Sequence, residues 1–365
     1  MVKVRLKKQT KTLDRKLLLI TLLLTGLGLV AVADASAPIA LRNFGDRFYF
    51  VKQQAVWAVI GVFCLLACTK IKYTLWEKLA TPLFFGSIAL LVLVLIPGLG
   101  IKVLGARRWF SVGPVTFQPS EFVKLFLVIY LAKVASKGMP PLSYFVPPFL
   151  MAGLIMLQPD LGTTIVLVGT AMAQIFVSGV SLFHLSAALF FSVLVSTILV
   201  FMSGYRRDRL LTFLKQTHDP LGKAYHISQI LIGLGAGGFW GVGLGQSRQK
   251  YLFLPETATD SIFAVVAEEI GFLGAGVLII IFSAFILRGM LIARNAPDKF
   301  SRVLAVGVVG WIGIQILLNL SSMVAVVPLT GIPLPFFSYG GSSLTAALIG
   351  TGILLNISKY VEKAK

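Results

Sequence analysis

The chain has 365 residues, of which 57% are hydrophobic and only 13% charged, and its mean hydropathy is +0.89. This composition excludes a soluble globular domain and leaves an integral membrane protein. The formal net charge of +19 would suit a nucleic-acid binder if it lay on one soluble face, but the Lys and Arg residues stand between apolar runs. Membrane lipids are therefore the expected anionic neighbours, and nucleic acid is not.

A bilayer core of roughly 30 Å needs about 20 apolar residues per helix, whereas a barrel would read as short alternating segments. The predicted spans are 17–36, 54–70, 79–97, 120–135, 144–157, 162–180, 184–203, 262–287, 303–327 and 342–358, bounded by charge, Pro or Gly. The expected fold is thus all-α, with about ten transmembrane helices in a single polytopic domain over 1–365. Its non-spanning parts are a basic tail (1–16), an outer loop (98–119), a large extracytoplasmic loop between helices 7 and 8 (204–261) and an outer re-entrant loop (328–341).

An even number of spans puts both termini on one side, and the basic start (Lys3, Arg5, Lys7, Lys8, Lys11, Arg15, Lys16) makes that side cytoplasmic. Lys70, Lys72, Lys78, Lys133, Lys137, Arg288, Arg294, Lys299 and Arg302, with Lys359, Lys363 and Lys365 at the end, agree with that orientation. The first span, with Ala33-Asp34-Ala35 behind it, also has the look of a signal peptide. Its apolar run is long for one, so retention is expected. No internal repeat is visible, which weakens an inverted-repeat transporter. Cys64 and Cys68, four apart in one apolar run, read as small buried hydrophobes.

Two outer segments carry more than connection requires. Segment 98–119 holds Lys102, Arg107 and Arg108 on the side that orientation statistics keep poor in positive charge. Segment 204–261 holds Arg206, Arg207, Arg209, Lys215, Lys223, Arg248 and Lys250. An external anion would explain both clusters; solvation of loops, pairing with Asp208 and Asp219, or snorkelling would explain most residues singly.

Ionisable groups at span edges are costly in hydrocarbon and invite a functional reading. Glu121 and Lys124 lie three apart on one helix face, where they can pair or jointly face a cavity; alternatively Ser120 caps the helix and the two charges serve its terminus. Asp160 in LQPDLGTT stands where an N-cap aspartate belongs. Asp260 follows a Pro-Glu turn at the membrane boundary, either as another N-cap or as a partly desolvated carboxylate suited to general base work. Glu268 and Glu269 receive no chemical role. The glycines of 233–247 are not a phosphate loop, because no strand precedes them; they would let a segment pack closely on a helix or re-enter the membrane edge. The stretch 327–344, with three prolines and three glycines and no charge, cannot be regular helix at membrane depth unless it is buried in protein or lines a cavity.

Together these segments resemble the SEDS family (shape, elongation, division and sporulation), polytopic bacterial proteins that polymerise peptidoglycan glycan strands. The resemblance covers nearly the whole chain and is carried by GARRWFSVGPVTFQPSEFVK (105–124), QPDLGT (158–163), HDPLGKAYHISQILIGLGAGGFWGVGLGQSRQK (218–250), LPETATDSIFAVVAEEIG (254–271) and GIPLPFFSYGGSSL (331–344). GVGLGQSRQK looks closer to the FtsW division branch than to the RodA elongation branch. Two departures stand out: Ala258-Thr259-Asp260 where the family usually has His-Thr-Asp, and Tyr225-His226 where Tyr-Gln is usual.

The resemblance implies a lipid II polymerase in the bacterial cytoplasmic (inner) membrane, working with a class B penicillin-binding protein. It implies Asp260 as the catalytic base, with Arg108, Lys124, Lys250 and Arg107 as cations for the departing pyrophosphate, and Glu121 and Asp160 orienting those cations or touching sugar. A divalent cation, Mg2+ or Mn2+, could supply part of the positive field, but the sequence shows no ligand cluster of metal spacing, and the metal stays open. The competing classes are a lipid II flippase and a noncatalytic scaffold for division or elongation proteins.

Overall fold

In the computed structural model, which describes residues 12–361 apart from 104, 114, 203, 205, 206, 208–224 and 252, each predicted span falls on a helix. The helices before the first strands are α1 (Arg15–Ala35), α2 (Ala37–Phe44), α3 (Tyr49–Lys70) and α4 (Thr74–Leu93). Strands β1 (Ile101–Val103), β2 (Ala106–Val112) and β3 (Val115–Phe117) follow. The remaining elements are α5 (Pro119–Ser136), α6 (Leu142–Leu157), α7 (Leu161–Val177), α8 (Leu182–Met202), α9 (Tyr225–Gly237), α10 (Ile262–Arg294), α11 (Lys299–Met323) and α12 (Gly341–Ser358).

By length and apolarity α1, α3, α4, α10, α11 and α12 can cross a membrane, six among the described residues. Helices α6 and α7 and the Leu182–Ile198 part of α8 are apolar but shorter, and α5 carries Glu121, Lys124 and Lys133. The chain is a multi-pass membrane protein.

Three expectations need correction. The all-α class gives way at 98–119, where β1, β2 and β3 form an antiparallel sheet in that order. Trp, Phe, Val and Thr there suit a pleated surface, and the flanking Gly and Pro residues exclude a helix. Segment 204–261 is not all loop, because α9 lies within it. The span drawn at 262–287 continues to Arg294 and is broken inside by Gly271 (φ 69°, ψ −173°). The basic residues Lys3 to Lys11, Arg206, Arg209, Lys215, Lys223, Lys363 and Lys365, with Asp208 and Asp219, lie outside the described residues.

Helices α11 and α12 form the centre: 72% and 89% of their apolar windows are buried, against 22% in α3, α4 and α10, so those three present their outer faces away from the protein. Phe63, Val59, Phe272 and Leu287 are among the large side chains exposed there, a surface that lipid chains solvate and water does not. A second cluster (Phe84, Leu91, Leu127, Met151, Leu167) joins α4, α5, α6 and α7.

Alternation of helix direction separates two ends. At one, Tyr73 Oη donates to Asp298, Arg288 Nε stands 3.1 Å from Asp14 Oδ2, and Asn356 Nδ2 donates to the Thr69 carbonyl at 2.8 Å. At the other stand the sheet, the starts of α5, α7 and α10, and the irregular segment 324–340.

Candidate functional site

The break in α10 explains the glycine-rich segment. At Gly271 the helix leaves the carbonyls of Glu268 and Glu269 without partners, and the amides of Val242 and Gly243 donate to them at 3.0 and 3.1 Å. In return Phe272 and Leu273 donate to the carbonyls of Gly238 and Phe239. The exchange requires two backbones in contact: a Cβ on Gly271 would lie 2.2 Å from Gly241 N, and one on Gly241 2.1 Å from Glu269 O. The close packing read from the glycines is what holds this loop.

Beyond it, residues 245–250 wrap around the two buried glutamates. Ser247 Oγ donates to Glu268, the amides of Arg248 and Gln249 donate to the same carboxylate, and Ser247 N donates to Glu269 at 3.1 Å. Lys250, 4% exposed, donates to Asp34 of α1 at 2.7 and 2.9 Å and to Glu269 at 2.8 Å. Burial alone would push its pKa down, but hydrogen bonds to the two carboxylates outweigh that and hold it above the ordinary lysine value. An ammonium between two carboxylates presents no net positive charge to a ligand. These bonds tie α1 to α10, a bracing role that accounts for Lys250 without the expected part as a pyrophosphate cation.

Asp260 lies at the end of the turn that precedes α10. Its carboxylate oxygen Oδ1 accepts from Thr259 Oγ1 at 3.2 Å, and a Cβ on Gly331 would stand 3.7 Å from Oδ2, so the carboxylate lies over the irregular segment. The N-cap of α10 is Ser261, with no side-chain capping bond; Asp260 is not the cap. His226 of α9 reaches Ser261 Oγ through Nε2 at 2.8 Å, which places this unusual histidine beside the aspartate's neighbour.

Segment 324–340 is irregular, and its 334–338 stretch is buried in the protein, the condition its composition demands. Its backbone polar groups find partners on three sides, and a fourth side is closely packed. Tyr339 N donates to the Ala258 carbonyl at 2.8 Å. Gln54 of α3 donates to Ser338 O at 3.2 Å and accepts from Gly340 N at 3.1 Å. Gln315 and Asn319 of α11 donate to Pro333 O at 2.9 Å and to Ile332 O at 2.8 Å. On the fourth side α7 approaches so closely that a Cβ on Gly162 would lie 2.7 Å from Thr330 O.

The other predicted residues gather around the same segment. Asp160 caps α7, accepting from Thr163 N and Thr163 Oγ1, both at 2.9 Å. Arg108 of β2 donates to the carbonyls of Gln158 (2.7 Å) and Pro159 (2.5 Å), with Nη1 3.9 Å from Asp160 Oδ2. Arg107, the preceding residue on the strand, points to the opposite face; it is half-buried, and no hydrogen bond or ion pair joins its side chain to the described residues. Glu121 and Lys124 pair at 2.8 Å, both about 2% exposed. Lys124 also donates to Gln315 Oε1 at 2.9 Å and lies over the Trp311 ring at 5.4 Å. The second oxygen of Glu121, Oε2, is buried with no partner among the described residues.

Sequence reading missed Gln315 and Asn319. The signal was there: two amides four residues apart in the otherwise apolar WIGIQILLNL (311–320), the pattern of polar groups turned inward from a membrane helix. Asp34, read only as part of a cleavage-site look-alike, was missed as a partner of Lys250. Among the described residues no three of His, Cys, Asp and Glu come together as a metal cradle.

Residues 15–363 match the model of a family described as cell cycle proteins, comprising FtsW, RodA and SpoVE. The chain is 42% identical over 355 residues to stage V sporulation protein E of Bacillus subtilis, covering 95% of this chain and 97% of that one. It is 40% identical over 361 residues to the probable peptidoglycan glycosyltransferase FtsW of Trichlorobacter lovleyi, covering 96% and 94%. A solved structure of a peptidoglycan synthase complex that coordinates polymerization and crosslinking superposes with a TM-score of 0.79 at 30% identity, covering 95% and 98%. The crystal structure of the rod shape determining protein RodA of Thermus thermophilus gives 0.71 at 28% identity, covering 97% and 99%.

Proposed function

The chain belongs to the FtsW/RodA/SpoVE family, and on that premise we propose that it is a peptidoglycan glycosyltransferase polymerising lipid II at the outer face of the bacterial inner membrane. One observation carries the site. Asp260, the Glu121–Lys124 pair and the 158–160 turn, scattered over 140 positions of sequence, meet around residues 330–333 at one end of the helices.

In the reaction Asp260 takes the proton of the acceptor sugar 4-hydroxyl. That oxygen bonds to the anomeric carbon of the donor, and the bond from this carbon to the pyrophosphate oxygen breaks, its electron pair leaving with undecaprenyl pyrophosphate. A single displacement inverts the α-linked donor to a β-1,4 glycan. Charge grows on the pyrophosphate, so fixed cations there favour the transition state over the ground state. Arg107, with no carboxylate against it, suits that role best. Arg108 shapes the 158–160 turn and offers its exposed edge, Asp160 holds the amide-rich start of α7, and Lys124 acts with Glu121, whose buried Oε2 keeps an acceptor site unused.

The topology that serves this chemistry has ten spans in one polytopic domain, both termini cytoplasmic, and 98–119, 204–261 and 328–341 outside. The partner is a class B penicillin-binding protein, in keeping with the synthase complex that the fold resembles. FtsW-like relatives favour a division or sporulation branch over elongation. The test is lipid II supplied in detergent to the purified protein with its partner transpeptidase. Glycan polymer is expected; a flippase or a scaffold, with no membrane to act across, makes none, and that result would refute the proposal.

A further inference from the structure

The aspartate proposed as base sits in a turn, yet a base must be held to a fraction of an ångström against its substrate. What holds it is on another element. Asn319, 1% exposed in the middle of the protein, spends both protons of its amide on carbonyls: Asp260 O at 2.9 Å and Ile332 O at 2.8 Å. Its own oxygen is left buried without a partner among the described residues. Flipping the amide would turn that oxygen against two carbonyls, so the network fixes the orientation. A polar side chain that leaves its acceptor unmatched in an apolar helix is a poor choice for stability alone. Its double donation is what it supplies.

Gln315 repeats the arrangement one turn earlier. Its nitrogen donates to Pro333 O at 2.9 Å, and its oxygen accepts from Lys124 Nζ and Trp311 Nε1, both at 2.9 Å. Residues four apart share a helix face about 6 Å apart along the axis. One face of α11 therefore grips Lys124 at one level and the backbone of Asp260 at the next, with 332–333 bound to both.

We propose that Asn319, aligned with Gln315 on α11, is a positioning residue for glycosyl transfer: its amide fixes the backbone of Asp260, so that a rigid helix sets the distance between the base and the Lys124 cation. This rests on the proposed reading of Asp260. Asn319 touches no substrate; it acts through the aspartate.

The experiment measures lipid II polymerisation by the full chain with its partner transpeptidase, for wild type, Asn319→Ala, Asn319→Asp and Asp260→Ala. Rates are referred to protein that is folded by thermal unfolding and retains the partner on co-elution. Asn319→Asp keeps the shape and loses at least one of the two donations, so Asp260 O and Ile332 O cannot both be held, and it carries the test alone should Asn319→Ala not fold. The expected result is a kcat lower by about tenfold or more in the folded Asn319 variants, with KM for lipid II within about twofold of wild type. A merely structural role would lower the folded fraction and leave kcat per folded molecule unchanged, which would overturn the inference; a loss confined to KM would overturn it too, by making Asn319 a substrate contact. The two readings separate cleanly. Asp260→Ala inactive with Asn319 variants at full rate removes this inference alone, whereas Asp260→Ala fully active removes the base assignment and this inference with it.

Discussion

Lys124 and Lys250 are both buried lysines paired with carboxylates at the same end of the molecule, yet they are built for different work. Lys250 has three bonds of 2.7 to 2.9 Å to two carboxylates on two helices, so its charge is more than cancelled and its geometry closed. Lys124 has one carboxylate, one amide and an aromatic face, and its partner Glu121 keeps an oxygen unused. A saturated cluster braces helices; the unsaturated one is linked through Gln315 to the segment beneath Asp260, and under the proposed function it is the one that acts on the substrate. The same side chain in the same setting thus divides by what its neighbours leave over.

Substitutions can break that contrast. Lys250→Met leaves Asp34 and Glu269 facing each other, and removing one partner of a buried ion cluster typically costs about 3 kcal/mol or more. Thermal unfolding in detergent should show that loss, while polymerisation per folded molecule stays near wild type. Lys124→Met should act the other way round in emphasis, with polymerisation per folded molecule down about a hundredfold, roughly 2.7 kcal/mol of transition-state stabilisation. Equal activity losses in the two variants would end the distinction. Arg107→Ala should cost about tenfold in kcat/KM, and the loss should shrink as salt rises, because a partly exposed cation is screened. At the small end, Lys52→Ala removes an ion pair of 2.6 Å with Asp46, exposed at 68% and 38%; neither unfolding temperature nor polymerisation should move, as for most surface pairs.

The helices were legible because apolar runs of membrane length have few other readings; charged ends were trimmed, as at the start of α3 and at Arg288 to Arg294 of α10, and apolar ends overrun, as at 94–97 and 324–327. Helix α9 escaped because Gly233, Gly235 and Gly237 argue against helix locally, a preference overridden by packing on α10. The sheet escaped because its strands are short and punctuated by glycine. Within the site, Glu121 with Lys124 and the capping by Asp160 follow from spacing along one helix, and both appear as bonds. The partners of Lys250 and the amides beneath Asp260 join residues 216, 19 and 59 positions apart, and no local pattern encodes such pairings. Charge type drew attention to one end of the molecule; only the fold separates the cation saturated by carboxylates from those that are not.

The most direct test of the account is the polymer made from lipid II in detergent by Asp260→Ala, folded and bound to its partner transpeptidase, beside wild type. Loss of a general base predicts a rate lower by about a hundredfold or more, with unfolding temperature and partner binding unchanged; glycan strands formed at the wild-type rate would contradict it.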